Sequence, residues 1–96
     1  MLEHVAASQS NQILGGLGSS GDYLSHVIIA PTSTSPGAVT LKDGSLTAIV
    51  LFDGGASSVS TLIPFMVHVG DYSRTGAWNI TTGANVRAIA VGSFGG

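Results

Sequence analysis

Chain-breaking residues recur along this sequence at short intervals, and they limit what it can fold into more than any other feature. Pro31 and Pro36 bracket a Thr/Ser loop, and further breaks stand at Lys42-Asp43-Gly44-Ser45, Asp53-Gly54-Gly55, Gly70-Asp71 and Thr82-Gly83-Ala84-Asn85. Proline lacks the amide hydrogen that a helix or central strand needs, and Asp-Gly suits the positive φ of a tight turn. The segments between these breaks are rich in Val, Ile, Thr and aromatics, and no 3.6-residue stripe survives the glycines. The pattern predicts strands over Asn11–Leu14, Tyr23–Ala30, Ala38–Lys42, Leu46–Phe52, Thr61–Val69, Ala77–Thr82 and Val86–Gly92. About seven short strands in one small chain make an all-β fold, a single small β-sandwich of Greek-key or jelly-roll type.

The phase of the strands says what each face meets. Ala77–Thr82 alternates, with Trp78 and Ile80 expected inward and Asn79 and Thr81 outward to solvent. Leu46–Phe52 and Thr61–Val69 are apolar on both faces; in the second, Ile63, Phe65, Val67 and Val69 share one face, and Leu62, Pro64, Met66 and His68 the other. Strands apolar on both faces require cover on both. A sandwich of 96 residues covers only one, so Leu62, Met66 and His68 are expected at a subunit interface.

Composition supports a partnered chain. Charged residues are 8% of the sequence, against about a quarter in an ordinary soluble domain. A chain of this size buries only about 60–65% of its unfolded surface and needs help from disulfides, metals or partners. It contains no cysteine. Residues 1–21 read as an N-terminal arm or edge segment, and 22–96 as the sandwich. The segment is rich in small polar residues and glycine, with Val5, Ile13, Leu14 and Leu17 at intervals. Such a chain gains too little burial to order itself. Those four side chains are therefore expected either to grip a partner or, for Asn11–Leu14, to form an edge strand of the domain's own sheet.

Several chemistries find no support in the residues. A net charge of −2 with three basic residues lacks the basic stripe that phosphate binding needs, so no nucleic-acid partner is expected. The longest uncharged stretches are broken by proline and hydroxyls, so no membrane span is expected. Gly16-Leu17-Gly18-Ser19-Ser20-Gly21 fits G-x-G-x-x-G, but a strand-like segment comes next where dinucleotide binding requires a helix. No G-x-S-x-G elbow is present, and His4, His26 and His68 are far apart in sequence. Asp22, Asp43, Asp53 and Asp71 adjoin glycines or turns, where aspartate caps backbone. No catalytic residue, metal site or cofactor is expected, and the chain reads as a non-enzyme. Asn79-Ile80-Thr81 fits a glycosylation sequon but lies in a predicted strand.

The runs SQSNQILGGLGSSGDYLSHVIIAPTSTSPGAVTLKDG and IVLFDGGASS, with the ending GAWNITTGANVRAIAVG, resemble small virion structural proteins of tailed bacteriophages, over about Ser8 to Phe94. The likeness is to the β-domains that decorate or cement capsids and to related fibre-associated modules. It implies a β-sandwich, a homo-oligomer with a trimer favoured, the major capsid protein or another virion protein as partner, and residence in the virion after assembly in the host cytoplasm. It brings no catalytic residues. The alternative is a carbohydrate- or receptor-binding module of a tail or fibre, with Trp78, Tyr23 and Tyr72 as aromatic candidates.

Overall fold

The computed structural model describes residues 2–15 and 21–93. These form strands β1 (Leu2–Val5), β2 (Gln12–Ile13), β3 (Tyr23–Pro31), β4 (Val39–Asp43), β5 (Ile49–Phe52), β6 (Phe65–Tyr72), β7 (Trp78–Thr82) and β8 (Val86–Ser93), with no helix among the described residues. One antiparallel sheet, here sheet A, runs β1-β8-β3-β6, and sheet B runs β2-β7-β4-β5. Every early strand lies beside its mirror in chain order: β1 by β8, β2 by β7, β3 by β6 and β4 by β5. The chain is thus one long antiparallel ribbon doubled at the β4–β5 turn. Rolling that ribbon brings β8 against β3 and β7 against β4, which makes the sandwich a jelly roll.

The apolar side chains facing inward from the two sheets form one core. Val5, Val27, Ile29, Ala88 and Ala90 come from sheet A, and Val39, Leu41, Trp78 and Ile80 from sheet B. On β3, Leu24 and Val27 both face inward although three residues apart, because the register shifts between Leu24 and His26. A bulge of this kind resets the alternation of a strand. The Trp78 indole Nε1–H donates to the Asp22 carbonyl at 2.9 Å, tying sheet B to the start of β3.

The described residues form eight strands where about seven were expected, and the addition is β1. Its four residues carry no strand signature, yet they pair with Ala88–Val91 of β8 along their whole length. The segment before residue 22 is therefore woven into the domain: β1 is an edge of sheet A and β2 an edge of sheet B. Glu3 holds the two together, accepting hydrogen bonds from Gln12 Nε2 at 3.1 Å and from the Gly15 amide at 2.8 Å.

Three local expectations need correction. β5 starts at Ile49 and not Leu46, because Gly44 is drawn toward β7: its amide donates to the Ala77 carbonyl, and its own carbonyl accepts from Asn79 Nδ2. Gly44 has φ +58°, and a Cβ there would overlap Thr75 and Gly76. β6 starts at Phe65, which leaves Leu62 and Ile63 exposed in the preceding connection. Asn79 is buried, not solvent-facing, because β7 is an inner strand of sheet B and the Asn79 amide is spent on the β4–β5 turn.

Candidate interaction surface

The two outer faces of the sandwich differ in chemistry. Across sheet B, Thr40 pairs with Thr81 and Lys42 with Asn79, and Thr81 exchanges hydrogen bonds with Asn11 at the edge. That face carries hydroxyls and Lys42 at its centre, with Ile13 exposed at one edge and Val50 at the other.

The outer face of sheet A is apolar and histidine-bearing. Two rows cross all four of its strands. In one, Leu2, Val91, His26 and His68 lie side by side; in the next, His4, Ile89, Ile28 and Met66 do. The chain's three histidines, far apart in sequence, thus meet on one face. The His26 and His68 rings are 6.1 Å apart at 57°, and the Ser25 hydroxyl lies 3.1 Å from His26 Nδ1. The Tyr23 and Tyr72 rings are 5.0 Å apart one step along the same strand pair. Arg87, opposite Ala30, is the one lysine, arginine or acidic side chain on this face next to these rows among the described residues.

Leu2 and Met66 are exposed, while Ile28, Ile89 and Val91 are half-buried by neighbours on their own sheet. A face of this composition gains free energy when water leaves it, about 25 cal/mol per Å² of apolar area. Contiguous exposed apolar patches of several hundred Å² mark interaction sites.

The residues expected at an interface separate into groups. Met66 and His68 lie on this face, as cross-strand neighbours of Ile28 and His26. Leu62 is exposed in the connection that leads into β6. Ile13 is exposed on β2, at the edge of sheet B, away from the others. Val5 and Leu14 are fully buried in the domain's own core, so they cannot meet a partner. Their burial corrects the arm reading, which counted apolar side chains but not the pairing that draws them inward. Leu17 lies outside the described residues, as does the Gly16–Gly21 run apart from Gly21; the first element after that run is a strand, β3.

Asp43, at the end of β4, and Asp71, near the end of β6, hold backbone amides. The buried Asp43 carboxylate accepts from the Arg74 amide at 2.9 Å and the Thr75 amide at 3.1 Å, fixing the β6–β7 turn. Asp71 accepts from the Tyr72 amide at 2.8 Å and pairs with Arg74 at 3.2 Å; the amide first, then the guanidinium, lowers its pKa below the ordinary aspartate value. No group of three metal-ligating side chains and no cavity occurs among the described residues.

Sequence reasoning placed Met66 and His68 together on one face through the two-sided polarity of their strand. It missed Leu2, His4, Ile28 and Ile89, because only the pairing of β1, β8 and β3 assembles them. Comparison with protein-family models, with curated proteins and with solved structures found no match.

Proposed function

We propose that this chain is a non-enzymatic structural protein of a tailed-phage virion, a homo-oligomer (a trimer first) that decorates the capsid and bridges coat subunits. The observation that carries the reading is the contrast between the two outer faces. One is polar across its inner strands and apolar only at Ile13 and Val50 on its edges, and the other joins four strands into an apolar surface on a domain with few charges to keep it dispersed. The work of such a protein is mechanical: each copy buries apolar area against its neighbours, and that burial opposes forces that would part them. The resemblance of its segments to phage decoration domains supplies the kind of assembly.

A jelly roll recurs in capsid proteins and in lectins alike, so the fold serves either reading and the surface must decide. One observation favours a carbohydrate-binding role as the second reading. Tyr72, 58% exposed, stands beside Tyr23 on the same face as the histidine pair, and such rings can stack on a sugar.

Densitometry of purified particles from the phage that encodes the protein separates the two. A decoration protein is present in many copies per particle, and a receptor-binding module in few. Absence from the particle overturns both. Binding of a host-surface polysaccharide that Tyr72→Ala abolishes would favour the second.

A further inference from the structure

We infer that β5 is a second docking surface, where this chain pairs edge to edge with β5 of another copy, antiparallel about a two-fold axis at Val50. The inference is independent of the virion reading and of whatever covers sheet A. β5 ends sheet B and has no neighbouring strand, among the described residues, on the side away from β4. An edge of this kind presents backbone N–H and C=O groups to any extended chain, and proteins blunt it with charge, proline, glycine or brevity.

The other three edges carry such devices. β2 is two residues long. β6 holds Gly70 at φ +62° and the Asp71–Arg74 ion pair. β1 has Glu3 bridging to β2. β5, four residues long like β1, reads Ile49-Val50-Leu51-Phe52 without charge, proline or glycine; its pairing with β4 shifts register at Leu51, which has no partner on β4. Ile49 and Val50 are each 54% exposed, and Leu46, just upstream, is 47% exposed.

The edge matches a second copy of itself. With Val50 opposite Val50, Ile49 of each copy lies opposite Leu51 of the other, so the central pairs are apolar. Asp53 then lies beside Thr47 of the other copy, and the two Asp53 carboxylates stand at opposite ends of the ladder. A parallel in-register pairing would instead set them side by side, where like charges are unfavourable. Antiparallel strand addition is a common recognition mode in which backbone hydrogen bonds supply affinity. Leu46, Ile49 and Val50 offer roughly 300 Å² per copy, below the ~800 Å² of tight complexes, so the pairing is reversible.

The chain has no cysteine, which makes disulfide capture a clean test. Val50→Cys is compared with Ala84→Cys, an exposed control in the β7–β8 turn, under mild oxidation at micromolar concentration. Val50→Cys should give a covalent dimer on a denaturing gel well ahead of the control. Adding Ile49→Lys should slow that capture by about tenfold, equal to a tenfold loss of pairing affinity. Capture no faster than the control, or capture unchanged by Ile49→Lys, overturns the inference. Circular dichroism checks that the variants fold, and a monomer at every concentration in sedimentation of the unsubstituted chain also overturns the inference.

Discussion

Trp78 shows how much a single side chain holds in a domain this thin. Its ring fills the space between the sheets and its indole N–H satisfies the Asp22 carbonyl. Trp78→Ala should cost about 3–5 kcal/mol, measured by urea unfolding, the range for a buried aromatic truncated without collapse of the site. Asp43 acts by a different route, as an acceptor for two turn amides. Asp43→Ala should cost about 2–3 kcal/mol by the same measurement, because both amides lose a charged partner inside the fold. Asp71 reports on pH. Its folded pKa is depressed, so the stability it contributes is present above the ordinary aspartate pKa and is lost as pH falls through the folded value. The contribution is small, since both members of its ion pair are solvent-exposed. A carboxyl titration should place its midpoint below the ordinary value, and Arg74→Ala should raise it only in part, because the Tyr72 amide is the larger cause.

Among the elements, β1 and β2 decide whether the first residues are dispensable. Deleting residues 1–18 removes an edge of each sheet, together with Val5 and Leu14 from the core. The product should fail to fold, giving no cooperative transition in denaturant and a disordered circular dichroism spectrum. Val5→Ala tests the same point with less damage, and a loss of about 2–4 kcal/mol is expected. The strands from β3 onward were legible because Val- and Ile-rich runs lie between prolines and glycines. β1 was not legible, since Leu-Glu-His-Val has neither alternation nor a flanking turn signal. It is a strand because β8 offers it an edge. The start of β5 was misplaced for a related reason: nothing in Leu46-Thr47-Ala48 reveals that Gly44 is held by β7.

For the domain taken entire, the unequal faces predict unequal responses to charge. Met66→Glu places a carboxylate on the sheet A face, on its edge strand β6, where the side chain is 50% exposed, and stability should change by no more than about 0.5 kcal/mol. If the proposed function holds, association through this face should be lost, read by sedimentation and by occupancy of capsids. Lys42→Glu on the sheet B face should leave both unchanged. Loss of association with Lys42→Glu and not with Met66→Glu would place the interface on the other sheet.

Local chemistry alone makes the chain all-β, positions most of its strands and turns Trp78 and Ile80 toward a core. Proline and glycine forbid certain backbone geometries wherever they stand, and a strand's alternation is a property of its own residues, so these features can be read in the linear chain. The jelly-roll order, the burial of Val5, Leu14 and Asn79, and the meeting of His4, His26 and His68 on one face come from the folded arrangement. Each depends on which strands pair and in what register. Pairing between residues as distant as Leu2 and Val91 is set by the rolling of the whole ribbon, and no local window of sequence contains it.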